Sequence, residues 1–315
     1  MAEGLSLPLK LVPYQKEGLL AKLPPVDQKG WPWDTETPTD IYDPALKWPK
    51  ITIVTPSFNQ GKYIEETIRG VLLQNYPNLE YIIMDGGSTD ETKEIIEKYS
   101  PWISYWQSKK DNGQGQAINL GFSLSSGDIH GWINSDDFYM ENALFKVAKA
   151  FANKHTTLIY GDGLHLNEER KTVIYEKANL VADRYLFLGG VILQHSCFWR
   201  SAIHLPILEV LHCAVDSELW FRLIPKQKIK HVNYPLAVSR AQPDAKTVSQ
   251  KFVKMWAEDN ALIEKIHEFD RTWFFKYVKS KFYSLEARYV QRLYKYFNVA
   301  PAQSFIEKIK KYRFN

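Results

Sequence analysis

Between residues 51 and 133 the chain switches repeatedly between two hydrophobic periods. Ile51-Thr-Ile-Val-Thr55 is a β-branched run closed by Pro56-Ser57, which reads as a strand. Lys62 to Gln74 then carries Ile64, Ile68, Val71 and Leu72 on one face, the spacing of a helix. Leu79 to Met84 is a second apolar strand. It stops at Asp85-Gly86-Gly87-Ser88-Thr89-Asp90, a loop with capacity for positive φ and with N-cap residues for a helix through Tyr99. Trp102 to Gln107 predicts a third strand, Lys109 to Gly115 a polar loop, Gln116 to Ser125 a helix, and Ile129 to Ile133 a fourth strand. Strand–helix alternation of this kind predicts an α/β fold, a doubly wound and mostly parallel sheet with helices on both faces.

The fourth strand ends unusually, in Asn134-Ser135-Asp136-Asp137 followed by Phe138-Tyr139. Unpaired carboxylates are too costly to bury. The two acids are therefore expected at a strand end facing water, a metal or a ligand, and the C-terminal ends of strands in α/β sheets are where ligands bind.

Outside this region the rhythm changes. Residues 1–50 hold eight of the sixteen prolines together with Trp31, Trp33 and Trp48, which predicts an extended arm packed on the body through its indoles. After Ala152 the pattern loosens into a strand at Leu158–Tyr160, a hairpin around Asn167–Arg170, an element at Gln194–Arg200, a helix at Asp216–Leu223 and a strand at Ile229–Tyr234. Toward the end, Phe274, Val278, Phe282, Leu285, Tyr289, Leu293 and Tyr296 recur three or four apart and predict one long amphipathic helix. The expected organisation is an arm (1–50), a central α/β domain (51–250, with halves 51–140 and 141–250), and a helical extension (251–315).

Composition and charge narrow the class. A hydrophobic fraction of 45% with 24% charged residues is that of a soluble globular protein. The chain has no apolar run of 18 residues and no basic-then-apolar leader, so neither a spanning helix nor a secretory signal is expected. Cys197 and Cys213 make no disulfide framework and favour a reducing, cytoplasmic setting. With no CxxC or HExxH, a zinc site is not expected. The net charge of +4 is uneven: residues 276–315 hold ten Lys and Arg against two acids, +8, which leaves −4 for the rest. The basic aromatic tail suits core packing, homodimer formation or a peripheral contact of residues 272–313 with the inner face of a membrane. No nucleic-acid motif accompanies it, so no nucleic-acid partner is expected.

Six segments, taken in order, resemble the family 2 inverting glycosyltransferases of GT-A fold. They are Ile51–Asn59 (ITIVTPSFN), Tyr81–Asp90 (YIIMDGGSTD), Asp111-Asn-Gly113 with Ala117-Ile-Asn119 and Gly121, Asn134–Asp137 (NSDD), Gln194–Arg200 (QHSCFWR) and Asp216–Arg222 (DSELWFR). The likeness covers roughly residues 50–250 and implies a nucleotide-sugar donor, a hydroxyl-bearing carbohydrate or glycoconjugate acceptor, and a divalent cation, Mn²⁺ or Mg²⁺.

The resemblance also distributes roles. It gives Asp85 the nucleoside; the plainer reading of Asp85 is a cap for its own Gly-Gly-Ser-Thr turn. Thr55, Pro56 and Ser57 would line the base through backbone and hydroxyl groups, and Asn112 and Gly113 would bring backbone close to the donor. Asn134, Ser135, Asp136 and Asp137 occupy the place of the Asp-x-Asp motif, with Asp136 as metal ligand and Asp137 either on the donor sugar or orienting the loop. Asn134 departs from the commoner Asp. Gln242 stands where a His can complete the site, leaving Arg240 and Lys246 as phosphate partners. Inversion needs a base opposite the leaving group, and Asp216 matches it, although the position also suits an N-cap. His195, Glu218 and Trp220 would border the acceptor; structural His and core Trp are the alternatives. Two rivals remain at this point: a sugar-nucleotide nucleotidyltransferase, which lacks its triphosphate loop here, and a non-catalytic nucleotide-sugar binding module.

Overall fold

The computed structural model describes residues 8–179, 181, 192–243, 245–246, 249–267, 285, 288–289, 292–293 and 302–314. One nine-stranded sheet organises them. Its strands are β1 (Ile51–Ser57), β2 (Leu79–Asp85), β3 (Tyr105–Ser108), β4 (Ile129–Trp132), β5 (Phe138–Tyr139), β6 (Leu158–Asn167), β7 (Thr172–Glu176), β8 (Cys197–Arg200) and β9 (Ile229–Ala241). They run in the order β3-β2-β1-β4-β8-β6-β9-β5, with β7 hydrogen-bonded to β6. The first four are parallel, as strand–helix alternation requires, whereas β8 joins β4 antiparallel and opens a mixed second half.

Period-two alternation sends successive side chains to opposite faces, and each face has its own core. Ile51 and Ile53 point to one face, under α1 (Ile64–Leu72), α2 (Thr92–Tyr99) and α4 (Ala143–Ala150). Val54, Ile82 and Met84 point to the other, under α3 (Gln114–Ser123) and α5 (Val215–Leu223). The helix α3 lies so close that a Cβ on Gly121 would come within 2.5 Å of the Val54 side chain.

The N-terminal arm is tied to the first core. Trp31 donates its indole N–H to Tyr139 O at 2.7 Å, and Arg69 of α1 donates to Pro24 O, Pro32 O and Trp33 O at 3.1, 3.2 and 2.6 Å. An Arg with 1% exposure is tolerated because its fork is filled by carbonyls and by Tyr99.

Strand β9 runs seven residues beyond the predicted end at Tyr234. Pro235 reads as a terminator, but it sits at a register shift against Asp162 of β6, and a bulge accommodates the missing N–H. That extension carries Arg240 and Gln242 to the end of β4. The bulge is pinned by Asp162, fully buried, whose carboxylate accepts from Tyr175 Oη at 2.7 Å, Lys177 Nζ at 3.0 Å, His231 Nε2 at 2.9 Å and Ala178 N at 3.0 Å. Burial alone would raise its pKa, but these partners outweigh it and hold it below the ordinary value. A depressed folded-state pKa means that this stabilisation is complete above the unfolded value, near 3.9, and is lost as pH falls through the folded one. Asp162→Ala should lower the unfolding free energy by about 3 kcal/mol. Urea unfolding at pH 7 checks this; an unchanged midpoint would show that Asp162 does not hold the bulge.

After the sheet come the helices α6 (Val253–Ile266) and α7 (Ala302–Phe314). Ile309 of α7 is buried in the first core, with Phe305, Ile306 and Phe314 against it, and Lys308 pairs with Glu141. The 302–314 part of the basic tail therefore turns its apolar side to the protein, not toward a membrane. Of the expected helix over 274–296 only Leu285, Arg288, Tyr289, Arg292 and Leu293 are among the described residues; they are helical and exposed.

Candidate active site

At the C-terminal ends of β1 and β2, Ser57 pairs in register with Asp85. The Asp85 carboxylate is buried and caps its own turn, accepting from Ser88 N at 3.0 Å, from the Ser88 hydroxyl, and from Ser108 Oγ at 2.6 Å. Ser57 Oγ beside it is buried with no hydrogen-bond partner, the condition a ligand would relieve. Thr55 is different. Its hydroxyl meets Tyr81 Oη at 3.2 Å within the buried sheet, so only its backbone could serve a base. Asp111, which did not figure among the expected residues, lies against Gly86: a Cβ there would stand 3.0 Å from the carboxylate. Asp111 accepts from Gly113 N at 2.8 Å, and burial together with the charge of Asp85 raises its pKa. Asn112 and Gly113 are exposed at the mouth of this loop.

Asn134–Asp137 forms a tight turn between β4 and β5, closed by Asp137 N to Asn134 O at 3.1 Å. Three of its members, Asn134, Asp136 and Asp137, have a partner brought from elsewhere. Asn134 Oδ1 accepts from Gln114 Nε2 at 2.8 Å, and its amide N–H groups point to Asp137 and Gln194, each at 3.4 Å. Ser135 is buried. Asp136 accepts from Gln242 Nε2 at 2.8 Å through Oδ2. Asp137 is buried and accepts from Arg240 N at 2.9 Å, and burial with the adjacent Asp136 charge pushes its pKa well up. Of the two roles open to Asp137, orienting the turn is the one these contacts describe.

The Arg240 guanidinium is not available to phosphate. It donates to Glu66 Oε2 at 2.6 Å, to Glu168, and to Asp136 O at 3.0 Å. Arg313 of α7 pairs with the same Glu66. The end of the chain is thus linked through Glu66 and Arg240 to the acidic turn.

On the opposite side, Asp216 stands in the first turn of α5, where the N-cap is Ala214. Asp216 is thus not the N-cap residue itself; its carboxylate accepts from first-turn N–H groups, those of Ser217 and of Asp216, while Asp259 of α6 serves the segment before the helix. Asp259 Oδ2 accepts from His212, Cys213 and Ala214 N at 2.9, 2.6 and 2.9 Å, satisfying the donors that precede the helix. Burial raises the Asp216 pKa, opposed by the N–H and hydroxyl of Ser217 and by the Lys246 ammonium. Lys246 also acts on Asp136, so its charge reaches both carboxylates.

The three acceptor-side residues fare unevenly. Glu218 holds Arg222 in a two-pronged ion pair at 2.6 and 2.6 Å and meets His267 at 3.1 Å, so both oxygens are engaged inside the protein. Trp220 is buried, stacked on Trp132 with centroids 6.2 Å apart and edge-on to Trp199, which makes it part of the core. Neither is placed to touch an acceptor. His195 is buried with Nε2 lacking a hydrogen-bond partner, and burial beside His165 pushes its pKa down to about 4, so it is neutral near pH 7. Its neighbour Gln194 donates to Trp132 O at 2.9 Å. The residues missed from sequence were Asp111, Gln114, Gln194 and Asp259; Asp111 and Gln194 lay inside the quoted motifs and Gln114 directly after one, but their roles depend on partners distant in sequence.

Among the described residues no group of three or more His, Cys, Asp and Glu could hold a metal ion. The donor set that does exist is one carboxylate, Asp136, amid neutral amides. This fits a hard cation that takes one or two carboxylates and draws its other ligands from phosphate oxygens and water.

Known proteins share this architecture. An S. aureus TarS fragment (residues 1–349) in complex with UDP-GlcNAc superimposes with a TM-score of 0.53 at 16% identity, over 72% of this chain and 75% of that one. The Pyrobaculum calidifontis mannosyltransferase PcManGT, in complex with GDP-Man and Mn²⁺, gives 0.52 at 14%, over 80% and 70%. At such identities the likeness speaks for the fold, which is GT-A. An uncharacterized glycosyltransferase of Rickettsia typhi is 24% identical over 71% of this chain and 70% of its own length. One from Rickettsia felis is 30% identical over 60% of this chain, which spans 33% of that longer protein. The family model for glycosyl transferase family 2 matches residues 52–210, from β1 to the loop before α5, and the chain is a glycosyltransferase belonging to that family.

Proposed function

We propose that this enzyme transfers a sugar with inversion from a nucleotide-sugar donor, a UDP-sugar by default, to a hydroxyl of a carbohydrate or glycoconjugate acceptor. The observation that carries this reading is the convergence of two carboxylates from distant elements on one ammonium: Asp136 after β4 and Asp216 on α5, both within the field of Lys246. Asp136 lies on the leaving-group side. Asp216, its pKa raised by burial, has the character of a base that takes the proton of the attacking hydroxyl. A divalent cation held by Asp136 would neutralise charge that develops on the departing diphosphate. Ser57, Asp85 and Asp111 form the nucleoside end. The UDP-sugar and GDP-sugar complexes of the fold neighbours support a nucleotide-sugar donor and leave the choice of base to these residues.

A thermal-shift screen of purified protein against UDP, GDP, dTDP and CMP, each with Mn²⁺, tests the reading. A nucleotide at about 100 times its Kd adds about 2.7 kcal/mol of stability, a rise of several degrees. No rise with any of the four would sink the donor-site assignment.

A further inference from the structure

We infer that Arg313, in the last turn of α7, is a positioning residue for sugar transfer: it balances the charge of Glu66 so that Arg240 can hold the turn of Asp136 and Asp137. This rests on the reading of Asp136 as the carboxylate that holds the cation. Glu66 of α1 is buried between two guanidinium groups. Its Oε2 accepts from Arg240 Nη2 at 2.6 Å, and its Oε1 pairs with Arg313 Nη2. Both arginines also approach the ring of Phe138, the residue after Asp137, with their guanidinium carbons 5.9 Å (Arg240) and 5.2 Å (Arg313) from its centroid. Arg313 thus reaches the turn by two routes, through Glu66 and through Phe138. The end of α7 is itself fixed. A Cβ on Gly30 of the N-terminal arm would overlap the Tyr312 ring, so helix and arm are in direct contact there, and the next arm residue, Trp31, donates to Tyr139 O. Ile309, one turn back from Arg313, is buried in the first core. Burial lowers the Arg313 pKa to about 10, which leaves it charged near pH 7.

Arg240 faces two demands at once. Its guanidinium meets Glu66 and Glu168, while its Nε donates to Asp136 O at 3.0 Å and its backbone N to the Asp137 carboxylate at 2.9 Å. With Arg313 in place, two acids oppose two bases and the cluster is neutral. Without it, Glu66 and Glu168 outnumber Arg240, and a buried carboxylate oxygen loses its charged partner. The excess negative charge draws Arg240 toward Glu66 and away from the turn. It also adds repulsion to Asp137, whose pKa burial and Asp136 already push up. The nucleoside end is held separately, Asp85 by Ser88 and Ser108. Loss of Arg313 therefore acts on the cation side of the site and spares the base side.

Isothermal titration with UDP and with GDP, each in EDTA and in Mn²⁺, tests this in Arg313→Met, Arg313→Lys, Lys308→Met and the double variant Glu66→Gln/Arg313→Met. For the diphosphate that wild type binds, Arg313→Met should cut the gain in affinity due to Mn²⁺ by about 5- to 20-fold and leave affinity in EDTA within about twofold. Arg313→Lys keeps the charge and should recover part of the gain. Lys308→Met removes the same charge from the same helix, but its partner is Glu141, so it should stay within about twofold of wild type. The double variant deletes one acid and one base, restores the balance, and should stand closer to wild type than Arg313→Met. A full Mn²⁺ gain in Arg313→Met, an equal loss in EDTA and in Mn²⁺, or an equal loss in Lys308→Met overturns the assignment. So does a double variant worse than the single one. Should Arg313→Met not fold, the double variant decides: a gain near that of wild type supports the charge balance, and a lost gain overturns it. Wild type that binds a diphosphate with no gain from Mn²⁺ sinks the reading of Asp136 itself, a separate result.

Discussion

Asp216→Asn should abolish transfer almost completely, by about a thousandfold in kcat, while leaving donor binding intact. General-base assistance contributes roughly 10²- to 10⁴-fold, and the amide is nearly isosteric but cannot take a proton. The structure adds two further expectations. Because burial raises the Asp216 pKa above its ordinary value, the wild-type transfer rate should fall as pH drops through that raised pKa, at higher pH than an exposed carboxylate would give. In linkage terms, a raised folded-state pKa means that folding favours the protonated form, so the ionised group costs stability near neutrality. The Asn variant should therefore melt no lower than wild type at pH 7. Steady-state kinetics across pH, with a melt of each protein, check all three. Near wild-type transfer by Asp216→Asn would remove this residue from the mechanism.

Asp136→Ala should lower transfer by roughly two to three orders of magnitude, the scale for losing one group that stabilises developing charge. The signature differs from that of Asp216. Here the increment in nucleotide affinity produced by Mn²⁺ should disappear, since Asp136 is the outward carboxylate of the turn, whereas affinity in EDTA should hold or improve because one negative charge has left. Titration with the diphosphate in both conditions provides the check. A Mn²⁺ increment that survives intact in Asp136→Ala would place the cation elsewhere. Together the two variants separate the leaving-group side from the attacking side, a division that a loss of activity alone cannot make.

The acidic turn owes its shape to segments far along the chain. Arg240 arrives on β9 and holds both Asp136 O and the Asp137 carboxylate, Gln242 reaches Asp136 itself, and Glu66 on α1 braces Arg240. Arg313, on the last helix, braces Glu66 in turn. On the other wall, Asp259 caps the approach to α5. Much of the site is therefore held from residues beyond 210, where the matched family region stops.

The parallel half of the sheet and the strand ends that carry Asp85 and Asp136 were legible in the sequence. Hydrophobic period is a local property, and the β-branched runs at 51–55 and 79–84 and the helical stripes between them had only one consistent reading. The acidic end of β4 was legible for the same reason, because an apolar strand cannot run on into two acids. What tertiary structure decided was which polar groups are free. Thr55, Glu218, Trp220 and Arg240 have the residue types of a sugar-nucleotide site, yet each is committed to the protein, to Tyr81, Arg222, Trp132 and Glu66 respectively. Asp216 and an N-cap look alike in sequence; the fold makes Ala214 the N-cap and brings the carboxylate of Asp259, 43 residues away, onto the backbone that precedes the helix. Local pattern determines where a side chain points from its own element, but its hydrogen-bond partner and its charge state depend on atoms brought near only when the sheet is complete.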